Sequence, residues 1–320
     1  MKLKLTFVNV GYGESILLRQ PDSGFAMLID AGSAEAEEYA ERASGRIRTE
    51  DYLTAIGLDH IDIMVSTHIH EDHLCGMLPV ARRWRPKALW QTLPPGFAAW
   101  MRRLDPSIAQ NPSQGKFIRA LNDAREWFSC LEADGLLRSV CAGDVQRPCP
   151  GLTVRVLAPG ADRCRKLADE IRRAYAIGNV PEQLSALSAL DAAMNNYSLI
   201  LMLEFGGTRV LLPGDTNRAG YGEIPADALR ADIFKIGHHG QLDGADEALL
   251  EAVRPKRVVC CASSDRRYNS AHPTLMAELR RRGARLLFSD CPDVSGEIIP
   301  PHSALTLEID ANGGIADCYE

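Results

Sequence analysis

Residues 61–73, IDIMVSTHIHEDH, run from a near-continuous apolar segment straight into His68, His70, Asp72 and His73. A short apolar run of this kind predicts a strand over 61–68 buried on both faces, so the chain must supply layers on either side of the sheet that holds it. The H-x-H-x-D-H that follows gathers three of the chain's eight histidines into six residues. On a tight loop beyond the strand end these side chains turn inward together, whereas a regular strand or helix sends successive side chains in different directions. Imidazole nitrogens and carboxylate oxygens suit Zn2+, with Mn2+ or Fe2+ also accommodated. Two pairs of ligands on one loop can serve two ions, an arrangement suited to hydrolysis. The rival readings are a polar surface loop and a closed structural zinc site, which more often uses cysteine.

Other strands are expected at 3–10, 15–19, 26–30, 153–157, 198–205, 208–213, 232–237, 257–262, 285–289 and 304–309. Helical periodicity lies between them at 34–44, 244–253 and 274–283. Between 81 and 193 strand signals almost vanish except near 153–157, and helices at 117–133 and 161–176 dominate. This pattern predicts one layered α+β domain over 1–320, with a largely helical insertion at 81–193 between two sheet-forming halves. No fixed repeat or low-complexity linker divides the chain.

With 36 Lys plus Arg against 42 Asp plus Glu, the net charge is -6, so any contact with nucleic acid must be local. No stretch approaches the ~18 apolar residues of a membrane span, and the start lacks the apolar core of a signal peptide. Nine cysteines without a C-x-x-C pair favour reduced, mostly buried thiols and a cytoplasmic location. "GYGES" precedes a strand and has two glycines, so it is no phosphate-binding fingerprint. There is no G-x-S-x-G nucleophile elbow either.

The C-terminal half offers further ligands at strand ends. In "TRVLLPGDTN" an apolar strand runs into Gly214, which permits a sharp turn presenting Asp215 as a bridge between metals. In "ADIFKIGHHG" another strand delivers His238 and His239 between two glycines. Either signal alone is a common turn or surface feature; together with the first cluster, each after an apolar strand, they form a set.

Together with "FVNVGYGESILL", "LIDAG", "NNYSLILMLEFGGTRVLLPGD" and "AHPTLMAELRRRGARLLFSD", these segments resemble the metallo-β-lactamase superfamily. Within it they are similar to the hydrolase domain of ComEC-type competence proteins and their free-standing relatives. The resemblance implies an αββα sandwich with two divalent metal ions, Zn2+ favoured and Mn2+ accommodated, at the sheet edge. It implies His68 and His70 on one metal, Asp72 and His73 on the second, Asp215 bridging, and one of His238 and His239 as a last ligand, the other touching substrate. Where many members carry a further histidine this chain has Asn195-Asn196-Tyr197-Ser198, so Asn195, Asn196 and Ser198 are candidates for substrate contact or ligand support. The chain keeps both His68 and His70, one of which ComEC-type domains often lack.

Metal-activated water makes hydrolysis the economical chemistry. Candidate catalytic residues are Asp72, His238, His239 and His272, the last also readable as the residue that starts a helix at Pro273. Glu71 faces either the site or solvent. The ComEC-like resemblance implies a phosphodiester substrate, nucleic acid included. Arg102, Arg103, Lys116, Arg119, Arg163, Arg165, Lys166, Arg172 and Arg173 offer a phosphate path, or else an ordinary solvated helix surface. Trp84, Trp90, Trp100 and Trp127 either wall a pocket or pack the insertion against the sandwich. Alternatives are hydrolysis of a carboxylic ester, lactone or thioester, and a metal-binding component that docks a partner protein through the helical insertion.

Overall fold

The computed structural model describes residues 1–320. Its strands are β1 Lys2–Val8, β2 Ile16–Gln20, β3 Phe25–Ile29, β4 Ile63–Val65, β5 Ala88–Gln91, β6 Leu137–Ser139, β7 Val145–Cys149 and β8 Leu152–Ala158. They continue with β9 Ile200–Phe205, β10 Thr208–Leu212, β11 Ile233–Lys235, β12 Arg257–Cys260, β13 Arg285–Phe288, β14 Ala304–Asp310 and β15 Ile315–Tyr319. The helices are α1 Thr49–Ala55, α2 Glu71–Leu74, α3 Met77–Arg83, α4 Pro112–Ala133, α5 Ala161–Ala176, α6 Val180–Met194, α7 Glu247–Val253 and α8 Pro273–Arg281.

Two mixed sheets form, in the orders β15-β14-β1-β2-β3-β4-β5-β6 and β13-β12-β11-β10-β9-β8-β7. Each joins an antiparallel part to a parallel part: β3 through β6 run parallel in the first sheet, and β10 through β13 in the second.

Alternation along the strands decides the layers. In β9, Leu201 and Leu203 face the apolar space between the sheets, while Ile200 and Met202 face a second core under α7 and α8. In β4, Val65 enters the inter-sheet core and Met64 a third core beneath the helices of 81–193. Three cores between four layers make an αββα sandwich whose central strands are apolar on both faces, as residues 61–65 require.

Asparagine side chains start α4 and α6. Asn111 accepts from the backbone N–H of Gln114 ahead of Pro112, and Asn179 from that of Glu182 ahead of Pro181. The helical faces bury Phe117, Leu121, Leu167, Ile171, Leu184 and Leu187 over the first sheet. Trp84 and Trp127 lie in the same core and Trp90 lies between the sheets, so these three pack the interior. Trp100 stays 66% exposed under the Arg172 guanidinium, 5.0 Å from its ring centre.

The structure departs from the sequence reading in several places. Residues 81–193 hold the expected strand at 153–157 as β8, but also contribute β5 and β6 to the first sheet and β7 to the second. These strands escape notice because β6 spans three residues and β7 alternates few apolar side chains. The helix expected at 34–44 is a single 3-10 turn, Ala36–Tyr39. The strand expected at 61–68 spans Ile63–Val65. No helix is long and apolar enough to cross a membrane.

Candidate metal centre

The predicted ligands follow the C-terminal ends of strands from both sheets. His68 and His70 lie in the loop after β4, Asp215 in the Pro-Gly-Asp turn after β10, and His238 and His239 after β11. Asp72 and His73 sit in the first turn of the short helix α2, where a plain loop was expected. Gly214 takes a left-handed φ of 54°, and a Cβ there would press on Thr67 at 3.0 Å, so the turn carrying Asp215 closes against the loop carrying His68 only with glycine. Gly13 does the same for Asp72: at φ 140° any side chain would collide with the Asp72 carbonyl, which accepts from the Glu14 N–H at 3.2 Å.

Four histidines share one design, with one ring nitrogen turned to a partner outside the centre and the other turned inward. His68 Nδ1 lies 3.0 Å from Thr67 Oγ1, His73 Nδ1 2.8 Å from Asp30 Oδ2, and His239 Nδ1 2.8 Å from the Cys261 carbonyl. His70 is reversed, with Nε2 3.1 Å from Asp191 Oδ1 on α6. Two inward groups result. In the first, His68 Nε2 lies 3.0 Å from His70 Nδ1. In the second, His239 Nε2 is 2.7 Å from Asp215 Oδ2 and 3.1 Å from Asp72 Oδ2, while His73 Nε2 is 3.2 Å from Asp215 Oδ2. The four ligand atoms of Asp72, His73, Asp215 and His239 lie within 4.8 Å of one another.

Burial drives the His68 imidazole well below its usual range, and the neighbouring His73 and His70 add to the effect, leaving a neutral ring with a lone pair to give. At His73 and His239 burial acts the same way, but the Asp215 and Asp72 carboxylates outweigh it. His73 rises well above the usual range and His239 to about 9. Burial raises the Asp72 and Asp215 carboxyls, yet the same histidines hold both below the ordinary carboxylate range. Without a cation, protons on imidazole balance the buried Asp215 carboxylate and the partly buried Asp72 carboxylate. His73 Nε2 is buried with no well-formed hydrogen bond. Inward nitrogens, converging carboxylates and a poorly satisfied buried donor set fit a divalent cation.

Several supporting residues were missed in the sequence. Asp30, at the end of β3, accepts from the Thr67 N–H at 2.9 Å and the Thr67 hydroxyl at 2.6 Å while holding His73. Lys235, wholly buried at the end of β11, donates to Asp215 Oδ1 at 3.1 Å and the Gly214 carbonyl at 2.8 Å, and contacts Glu14. A lysine interrupting the apolar strand "DIFKI" is a legible signal, since a buried ammonium needs buried anions.

The two histidines of the His-His pair separate. His239 is buried against both carboxylates, whereas His238 turns to the cleft and pairs Nδ1 with Asp243 Oδ1 at 2.8 Å. Both have left-handed φ values, 47° and 50°, which cost non-glycine residues about 1–3 kcal/mol each. Asn195 lines the cleft with an unpartnered amide oxygen, and the Asn196 amide oxygen and Ser198 hydroxyl are also buried without partners. Glu71 lines the cleft too, but its carboxylate is engaged by Ser33 and the Ala34 N–H. His272 is not brought to the centre: it starts α8 and accepts from the Thr274 N–H at 3.3 Å.

The cleft over the centre has a volume of about 390 Å³. Among the basic residues expected along a phosphate path, Lys116 alone lines it. Arg165 pairs with Asp162, Lys166 with Glu170 and Arg172 with Asp169, because helical spacing sets each cation one turn from an acid. Tyr12 and Tyr268 form one wall, edge to face at 5.1 Å.

The family model described as "Metallo-beta-lactamase superfamily" matches residues 8–97. The chain is 26% identical over 296 residues to ComE operon protein 3 of Bacillus subtilis, covering 90% of this chain and 32% of that protein. It is 26% identical over 98 residues to Recombination protein 2 of Haemophilus influenzae, covering 31% of this chain and 12% of that one. The chain thus spans about a third or less of the length of these relatives. Similar solved structures include Zn2+-bound PqqB from Methylobacterium extorquens, with TM-score 0.44, 16% identity and coverage of 87% and 85% of the two chains. Another is CmlA, a diiron beta-hydroxylase from Streptomyces venezuelae, with TM-score 0.47, 14% identity and coverage of 89% and 52%. From its sequence segments, the family-model match and the sequence relatives, the chain resembles the metallo-beta-lactamase superfamily over residues 8–97 and a ComEC-type competence protein over most of its length.

Proposed function

We propose that the cleft is the active site of a phosphodiesterase or nuclease working on a short, accessible phosphodiester. The observation that carries the reading is the inward donor set: His68 Nε2 and His70 Nδ1 for one ion, and Asp72, His73, Asp215 and His239 for a second, with Asp215 between His73 and His239. Divalent ions held there, Zn2+ favoured and Mn2+ accommodated, supply a water nucleophile near neutral pH and polarise a phosphoryl oxygen. The chain's own groups bind, orient and move protons around that chemistry.

His238, oriented by Asp243, is the proposed proton donor to the leaving group. The free amide oxygen of Asn195 is a proposed substrate contact. Tyr268, 59% exposed beside Tyr12, offers a ring on which a planar group such as a nucleobase can stack. The relation to ComE operon protein 3 supports a nucleic-acid substrate, and the cleft volume suits one diester with its neighbouring groups better than a long duplex track. Nine free thiols support a reducing, cytoplasmic setting.

One observation favours a second reading, hydrolysis of a carboxylic ester, lactone or thioester: Glu71, Asp72, Asp191 and Asp215 line the cleft against one lysine, a wall that repels polyanions unless metals are bound. The test is hydrolysis of bis(p-nitrophenyl) phosphate by metal-stripped protein after Zn2+ or Mn2+ is restored, beside p-nitrophenyl acetate, with Asp72→Ala as control. Metal-restored cleavage of the diester, lost in the variant, supports the phosphodiesterase. Cleavage of the acetate alone replaces it with the ester reading.

A further inference from the structure

The first donor group lacks the additional histidine that many superfamily members carry, because residues 195–198 are Asn-Asn-Tyr-Ser. Its hold on an ion therefore depends on how firmly two imidazoles are presented. His68 is buried and its Nδ1 is tied to Thr67, its own neighbour in the loop. His70 is 18% exposed and receives no such support from its loop or from either sheet. Its outward Nε2 meets Asp191 Oδ1 at 3.1 Å, a close contact short of a well-formed hydrogen bond, and this nitrogen has no other partner; the Ser113 hydroxyl donates to Asp191 Oδ2 at 3.1 Å. Both partners belong to the helical segment: Asp191 to α6 and Ser113 to the first turn of α4. One turn away, Gln114 Nε2 donates to Ser188 Oγ at 2.9 Å, so two side-chain bonds tie α4 to α6 at this point.

A histidine that binds a metal through Nδ1 must carry its proton on Nε2, and an anion beside that nitrogen selects this tautomer and makes the ring a stronger donor. We propose that Asp191 is the positioning residue for His70, holding it with Nδ1 bare toward His68, and that Ser113 holds Asp191. The helical segment, through this one carboxylate, governs occupancy of the first metal position and leaves the second untouched. Asp30 does the corresponding work for His73 from within the sandwich. The inference rests on the metal-centre reading of the proposed function, but not on the identity of the substrate.

The test measures Zn2+ binding by equilibrium dialysis against a competing chelator, on wild-type protein, Asp191→Ala, Asp191→Asn and Ser113→Ala. Loss of an outer partner weakens metal binding about 10–100-fold. The expected result is such a loss in one of two equivalents for Asp191→Ala, a smaller one for Asp191→Asn, which keeps a neutral acceptor, and the smallest for Ser113→Ala. The other equivalent changes by a clearly smaller factor, because Asp191 contacts none of Asp72, His73, Asp215 and His239. Long-range 1H–15N spectra of the Zn2+-loaded protein read the tautomer directly: His70 protonated on Nε2 in the wild type, mixed in Asp191→Ala. Unchanged binding and tautomer in Asp191→Ala, or equal weakening of both equivalents, overturns the proposal. A wild-type protein that takes up no Zn2+ overturns the metal reading itself, which separates the two failures.

Discussion

His73 is fully buried and leans on Asp30 at the end of a sheet strand, whereas His70 is 18% exposed and leans on Asp191 of a helix packed outside the sandwich. The same contrast runs through the two donor groups. The second gathers two carboxylates and two imidazoles, with Lys235 and Glu14 beneath Asp215 and a backbone carbonyl behind His239. The first is a pair of imidazoles with neighbours of their own loop on one side and the helical segment on the other. The second group is thus held by the core of the fold, and one histidine of the first is held from outside the sandwich.

The contrast is most strongly broken from below. Lys235→Met leaves Glu14 and Asp215 buried without their cation, and breaking a buried pair costs about 3–5 kcal/mol. Urea unfolding should register that loss, with Glu14→Gln added to Lys235→Met recovering part of it; a variant as stable as wild type would mean the lysine is not a keystone of the second group. Next in size, Asp72→Ala should lower metal-restored diester hydrolysis by more than about 100-fold, the upper range for losing a mere outer partner. Asp30→Asn should cost the second equivalent about 10–100-fold in Zn2+ affinity and, because Asp30 also accepts from Thr67 behind His68, weaken the first by a smaller factor.

Tyr268 tests the cleft rather than the metals. Arg266, Tyr268, Asn269 and Ala271 all take left-handed φ values. The loop is held nonetheless by Arg267 on Glu38 at 2.5 Å, the Ser264 N–H on Asp290 at 2.7 Å and the Ala271 N–H on the His239 carbonyl at 2.9 Å. Tyr268→Ala should raise KM for a dinucleotide by roughly 5–30-fold, the value of about 1–2 kcal/mol of stacking, with kcat nearly kept. An unchanged KM removes the stacking wall.

The smallest effect concerns the thiols behind the second group. Burial pushes Cys260 up to about 12 and Cys261 well above the ordinary range. A raised thiol pKa favours the neutral form in the folded state. The associated stability is therefore complete below the ordinary thiol pKa of about 8.5 and is lost as pH rises toward 12. At pH 8, iodoacetamide should label the exposed Cys130 and Cys318 and spare Cys260 and Cys261. Equal labelling rates would mean that the wall behind His239 opens readily.

The candidate ligands were legible as a group in the sequence because each follows an apolar strand: His68 to His73 after β4, Asp215 after β10, the His-His pair after β11. Their outer partners were not, since Asp30, Asp191 and Asp243 reach their histidines across 43, 121 and 5 residues with no local pattern to announce them. Which of His238 and His239 turns inward is decided by two left-handed residues in a row, which no periodicity encodes. His272 was readable both as a catalytic candidate and as a helix start, since both use the same residue type, and it stands at the start of α8. Among the strands, β5 to β7 were lost to short length and polar composition, while the longer, apolar-rich β1, β9 and β14 were readable.

Zn2+ titration of metal-stripped wild-type protein against a competing chelator tests the unequal centre most directly. The account predicts two equivalents whose dissociation constants differ by at least about tenfold, the lower end of what outer support is worth, with the tighter one lost in Asp215→Asn. Two equivalents of equal affinity, or a single one that survives Asp215→Asn, would contradict it.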